Sequence, residues 1–282
     1  MYPVCFAQSL QFIGFDFRMF GYLLTSILMV SIAGRALAQQ APGSDVPAAN
    51  PGRPTVSTPA TLTPQGYLQF ETGVLSAWTS PEFSSRTSMN EVVKFAVTRR
   101  IEFLAGFEPV AHSRVASVSS SDAGGTSLGV QTMLFKGEGA TPTLAASYFH
   151  SVYSGNAPDL DIGSSTNSVL LLASADVKGF HYDANAFFNE VVSNPVRRAQ
   201  FGQSLSVSHP VSSKFVLSGE IWHFTQPFLH GNALGNLWAV SYSASKNLVF
   251  DVGFQHGLTS TSTHWEVFAG FTYLLPQRIL RR

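Results

Sequence analysis

Cysteine is nearly missing: the chain has one, Cys5, in 282 residues, so no internal disulfide framework holds the fold. Charge is scarce as well. Asp, Glu, Lys and Arg make up 12% of the chain, where soluble domains carry about 25%. The 17 basic and 17 acidic residues cancel, which argues against recruitment of nucleic acid or of a strongly acidic partner. Beyond the N-terminal region no apolar stretch approaches about 18 residues, so a membrane crossing there must be made by strands. The HExxH spacing and the phosphate-binding P-loop are lacking, and no GxSxG elbow between a strand and a helix is read. Eight histidines are present, but His150, His181, His209, His223, His256 and His264 mostly fall near the ends of alternating segments and form no spaced ligand cluster. The neighbours His150-Ser151 and Ser208-His209 point to opposite faces of a strand, which argues against a serine–histidine pair. The expectation is therefore no catalytic site, no metal and no cofactor.

The longest apolar run is Met19 to Gly34, MFGYLLTSILMVSIAG, with Arg18 before it and Ala36-Leu37-Ala38 after it. At 16 residues it is shorter than the roughly 20 a membrane helix needs and has the layout of a secretory signal with a small-x-small cleavage site. Residues 1–38 are read as that signal, which removes Cys5; an uncleaved anchor is the alternative. The long stretch before the run makes Met19 a second candidate start. Residues 39–64 are rich in Pro, Ala, Ser, Thr and Gly and read as a flexible periplasmic lead. Residues 65–275 read as one β-barrel domain, and 276–282 as a basic C-terminal tail.

What the chain does have is alternation. In LWAVSYSASKNLVFDVGFQHGL (237–258), Trp238, Val240 and Tyr242 alternate with Ala239, Ser241 and Ser243, and Leu248, Phe250, Val252 and Phe254 alternate with Val249, Asp251, Gly253 and Gln255. A period of two means strands, and Ser245-Lys246-Asn247 is short enough to join them as a hairpin. About twelve such segments follow one another: Tyr67 to Ala77, Met89 to Thr98, Ile101 to Pro109, Thr126 to Phe135, Thr143 to Tyr153, Thr166 to Val177, Phe180 to Val192, Ala199 to His209, Phe215 to Phe224, Leu234 to Ala244, Leu248 to Gly257 and Thr263 to Leu275. Most reach ten residues, the length that crosses a bilayer at a tilt, whereas globular strands stop at about five or six. Short links after even segments alternate with mostly longer ones after odd segments, including Trp78 to Ser88, Val110 to Gly125, Ser154 to Ser165 and Thr225 to Ala233. That is the asymmetry of an up-and-down outer-membrane barrel, and an even strand count returns both termini to the periplasmic side.

The expected fold is thus all-β: a transmembrane antiparallel up-and-down β-barrel of about 12 strands. Tyr67, Trp78, Tyr153, Trp238 and Tyr273 are candidates for interfacial girdles. Val169 to Ala173 is apolar on both faces, and Phe149, Phe187, Trp222 and Phe268 fall on the inner set, so the lumen is expected to be partly filled; a wide aqueous pore is not expected at this strand number. The inner set also carries Glu71, Lys94, Glu102, Asp183, Glu220, Asp251 and Glu266. These charges either pair to plug the barrel or line a selective passage.

The opening RPTVSTPATLTPQGYLQFE (Arg53 to Glu71) and TGVL (Thr72 to Leu75), with SLGVQTMLFKGEG (127–139), TPTLAASYFH (141–150) and EVFAGFTYLL (266–275), resembles a bacterial outer-membrane β-barrel family assigned to a meta-pathway of phenol degradation and also described as transporters. The resemblance implies an outer-membrane barrel, partnership with outer-membrane lipid and the barrel assembly machinery, and passage of small hydrophobic or aromatic compounds; it carries no catalytic motif. The tail PQRILRR departs from barrels that end on an aromatic residue. Two rival readings are a structural or adhesive outer-membrane barrel with a plugged lumen, and a secreted soluble β-sandwich.

Overall fold

The computed structural model describes residues 47–161, 165–193 and 195–280. The expected signal (1–38) and the first part of the expected lead lie outside the described residues. Thirteen strands follow in order: β1 (Leu68–Trp78), β2 (Ser85–Ala96), β3 (Ile101–Val115), β4 (Val118–Asp122), β5 (Thr126–Phe135), β6 (Thr143–Tyr153), β7 (Ser165–Val177), β8 (Phe180–Ser193), β9 (Val196–Pro210), β10 (Phe215–Gln226), β11 (Gly231–Ser245), β12 (Leu248–Gly257) and β13 (Trp265–Leu274). β1, β2, β3, β5 and onward to β13 pair antiparallel in turn, and β13 pairs with β1, so the sheet closes on itself. Twelve strands form the ring. Closure leaves the ring without a free edge, the condition for strands to cross hydrocarbon.

The thirteenth element is β4, which pairs only with the upper part of β3, from Ala111↔Asp122 to Val115↔Val118. Residues 110–125, read above as a loop, are therefore largely a hairpin standing beyond the ring. Ser119, Ser120 and Ser121 have no apolar alternation to reveal a strand, because neither of their faces needs to be buried. The same holds at two other strand ends: β2 begins at Ser85 and β9 at Val196, earlier than alternation alone marks them.

Residues 178–179 form one of the tight turns. Lys178 and Gly179 have φ of 51° and 84°, as a two-residue type I′ hairpin requires. The other turns at that end span 97–100, 136–142, 211–214 and 246–247, whereas the opposite end carries 79–84, 154–161, 227–230, 258–264 and the β3–β4 hairpin. The short-turn end is taken as periplasmic. The described part of the tail closes against this end, with the Ile279 and Leu280 amides donating to the Gly66 carbonyl.

The outward face is apolar and exposed along its length: Leu171, Phe188, Phe201, Leu205, Leu217, Ile221, Val240, Val252 and Val267 all stand clear of other protein. A water-soluble sandwich would bury such residues against a second layer; the described residues form none. A closed ring wrapped in an apolar belt belongs in a bacterial outer membrane. Trp78 and Trp265 pair directly at the outer end, and Phe215 and Tyr242 lie against each other near the periplasmic end, ring centroids 5.0 Å apart and planes tilted by 37°, where girdles are expected. Trp238 is a correction: it sits halfway along β11, above Gly219, where a methyl group would come within 2.9 Å of the indole. It fills the belt instead of marking an interface. Glu91 also breaks the apolar pattern, facing outward between its register partners Thr72 and Phe107.

Candidate permeation path

The interior is not empty, and what fills it comes from the chain's own N-terminal side. Residues 47–64, expected as a flexible periplasmic lead, instead form a loop inside the ring, with the Asn50 side-chain amide donating to the Thr61 carbonyl to close it. The loop has no regular secondary structure, so its backbone amides must find other acceptors once removed from water. The wall supplies them. Glu220 on β10 accepts the amides of Val56 and Ser57, both at 2.7 Å, and the Ser57 hydroxyl at 2.5 Å. Glu71 on β1 accepts the Gly52 amide at 2.9 Å, and Glu102 on β3 accepts both the amide and the hydroxyl of Thr63. Asn185 on β8 accepts the Thr58 amide and donates to the Thr58 carbonyl, Gln131 on β5 donates to the Pro59 carbonyl, and Ser174 on β7 accepts the Ala60 amide.

This arrangement accounts for the seven charged side chains singled out from the sequence, all of them buried within the ring. Glu71, Glu102 and Glu220 hold the loop's backbone. Lys94 pairs with Glu71 at 2.6 Å, and Asp251 pairs with Arg53 of the loop at 3.1 Å. Asp183 accepts the Ser174 hydroxyl at 2.5 Å, one step removed from the loop. Glu266 stands apart, facing an outer chamber, with Gln255 donating to it at 2.8 Å. Sequence reasoning missed Arg53, Gln131, Ser174 and Asn185, because a contact between the wall and a loop many positions away has no local signature.

Above the loop the inner wall turns apolar. Val56 and Ala60 pack into a cluster with Leu170, Leu172, Phe187, Trp222 and Phe224, and Leu75, Leu237, Ala239 and Phe268 form a second one. Phe149 is partly buried against the first cluster, so the four inner aromatic residues named above do narrow the lumen. Space remains between loop and outer mouth as a chamber of 170 Å³, lined by Leu75, Trp222, Leu237 and Phe268 with Asp161, Gln255 and Glu266 among its polar groups. Toward the periplasm a vestibule of 630 Å³ opens along β8 to β12, walled by hydroxyls including Ser206, Ser218 and Ser241.

The connection after β6 roofs the outer chamber. Leu160 and Asp161 reach into it, and Asp161 is held from two strands and a loop. The Gln226 side chain donates to its carbonyl at 2.6 Å and Gln200 more distantly, and the Thr263 amide and hydroxyl donate to its carboxylate. Burial pushes the Asp161 carboxyl up to about 6, against the opposing effect of the Thr263 hydrogen bonds. Nearby, Glu82 in the β1–β2 loop accepts the Asp159 amide at 3.1 Å; burial first, and the Asp159 charge second, raise its carboxyl above the usual range. Among the described residues no three His, Cys, Asp or Glu side chains gather as metal ligands. Nor do the serine–histidine neighbours form a pair: the His209 ring instead engages the Gly179 carbonyl, and His150 engages Asn167.

No protein-family model matches the chain, and no curated protein does. Solved structures share its fold, among them the following two. An outer membrane channel from Pseudomonas putida F1 is similar at 15% identity, with 80% of this chain and 99% of that one covered and a TM-score of 0.56. The NanC porin is similar at 9% identity over 73% of this chain and 98% of that one, with a TM-score of 0.51. At these identities the likeness concerns architecture: both are outer-membrane barrels of nearly the same extent as the ring described above. The link to phenol degradation implied by the opening residues finds no support in these comparisons.

Proposed function

We propose that this chain is a passive outer-membrane channel for small, largely apolar solutes, closed at rest by its own residues 47–64. One observation supports the solute class: the outer chamber. Its 170 Å³ and its walls of Leu75, Trp222, Leu237 and Phe268 suit a single ring, since an engineered apolar cavity of about 150 Å³ accepts benzene. The polar groups Asp161, Gln255 and Glu266 would orient donor-bearing substituents. Below the chamber, a loop held by hydrogen bonds is a removable obstruction, whereas a filled apolar core would not be. Diffusion down a gradient needs no energy-coupling motif, and no bond-making chemistry is assigned. Outer-membrane lipid would cover the belt, and the barrel assembly machinery would insert it.

Proteoliposome uptake tests the reading. A ring-bearing solute that lipid passes slowly, such as a hydroxybenzoate, should enter faster than into empty liposomes and faster than a sugar of similar mass. Equal entry into both preparations would refute conduction. It would favour a structural barrel, a reading supported by how completely the loop's amides are satisfied.

A further inference from the structure

The outer chamber and the periplasmic vestibule are both lined by Arg53, Pro54 and Thr55. These three residues are the partition between them. On either side of the partition the loop is anchored through its backbone, at Gly52 to Glu71 and at Val56 and Ser57 to Glu220. The partition is tied to the wall differently, through the Arg53 side chain, whose Nε and Nη2 donate to the two oxygens of Asp251 at 3.2 and 3.1 Å.

The wall has a berth shaped for that side chain. Gly73 on β1 and Gly270 on β13 are register partners, and Gly270 is in turn the partner of Asp251 on β12. The two glycines and the carboxylate therefore lie in one row across three strands. A methyl group at Gly73 would stand 2.5 Å from the Arg53 Cζ, and one at Gly270 would stand 2.7 Å from its Nε. Side chains at either position would fill the space the guanidinium occupies. The planar fork, the matched carboxylate and the bare backbone beneath it form a site for arginine in particular, since lysine presents a point charge without a fork.

We propose that Arg53 is the gate of the permeation path: with its guanidinium in the Gly73–Gly270–Asp251 berth the two cavities are separate, and with it withdrawn they join while the rest of the loop stays seated. The proposal rests on the channel reading above. Residues 53–55 span the interval between two backbone anchors, so releasing one side chain frees that span without breaking the bonds to Glu71, Glu102 or Glu220. The joined path runs from Trp222 and Phe268 past Asp251 to the serine-lined vestibule.

Single-channel recording in planar bilayers, on full-length protein whose folding is confirmed by heat-modifiable gel migration, tests this. Arg53→Ala should raise conductance several-fold over wild type. Gly73→Ala, whose methyl group meets only the Arg53 guanidinium and so fills the berth while keeping both Arg53 and Asp251, should do the same; Asp251→Asn replaces it if that variant fails to fold. A full-length variant with residues 50–61 changed to glycine and serine serves as the open reference. If the reference conducts and the Arg53 and berth variants remain at the wild-type level, the gate is overturned and the channel stands. If the reference passes no current either, the channel reading falls with it.

Discussion

Glu220→Gln probes the attachment of the lumen loop with little change in volume. The carboxylate accepts three hydrogen bonds from two successive loop residues, the Val56 amide, the Ser57 amide and the Ser57 hydroxyl. A glutamine in the same place keeps one oxygen, which retains at most the two Ser57 contacts, and turns an amide donor toward the Val56 amide. Losing that bond to a charged acceptor weakens the seat by about 1.5 to 3 kcal/mol. At 1.4 kcal/mol per tenfold, the unseated fraction rises about 10- to 140-fold. A reporter is available because Cys5 is the sole cysteine: with Cys5→Ser and Ala60→Cys, the new thiol lies at a fully buried loop position and reacts with a maleimide only when the loop leaves. The labelling rate should rise by the stated factor upon Glu220→Gln, with heat-modifiable migration unchanged. A rate within about threefold of the parent, less than 0.7 kcal/mol on the same scale, would show that Glu220 does not hold the loop.

Three further outcomes follow from the same geometry. Val252→Arg, on the outward face midway along β12, should destabilise the barrel in lipid vesicles by about 2 to 4 kcal/mol in denaturant titration; a neutral result would place Val252 away from hydrocarbon. Asp161, with its carboxyl raised from 3.8 to about 6 in the seated roof, binds its proton more tightly seated than released. Its contribution to seating is thus complete below pH 3.8 and lost as pH rises through 6. Hydrogen exchange of the Thr263 amide, which donates to that carboxyl, should therefore speed up across this window beyond its intrinsic pH dependence, and the excess should vanish in Asp161→Asn. Gly235→Ala would place a methyl group 2.3 Å from the Trp222 ring, and should lower stability by about 1 to 3 kcal/mol through overpacking; unaltered Trp222 emission and stability would contradict that contact.

The ring was legible because membrane strands report their facing residue by residue: Phe250, Val252 and Phe254 alternate with Asp251, Gly253 and Gln255, and one slipped position would expose the wrong set to lipid. Glu71, Lys94 and Glu102 could be placed on the inner face by the same parity. Their partners could not. Arg53 to Pro64 looks like linker, since prolines, serines and threonines neither alternate nor cluster, and the groups that fix it, such as Glu220 and Asn185, lie 164 and 127 positions from Val56 and Thr58. Long-range hydrogen bonds to an irregular backbone leave no periodic trace. The β3–β4 hairpin was hidden for a related reason, since β4 is exposed along all but its last residue and has no apolar face to declare it. Trp238 misleads as a girdle candidate because a tryptophan over a glycine in mid-belt has the same composition as one at an interface, and only the register distinguishes them.

Tryptophan quenching by brominated lipid separates the two faces of the wall directly. Trp78, Trp238 and Trp265 are 42%, 50% and 44% exposed on the outer face, while Trp222 is 2% exposed inside. In vesicles of brominated lipid, single-tryptophan variants that retain Trp78, Trp238 or Trp265 should lose most of their emission, and the Trp222 variant should keep its own. Equal quenching of Trp222, or bright emission from the other three, would contradict a lipid-covered ring around a loop-filled interior.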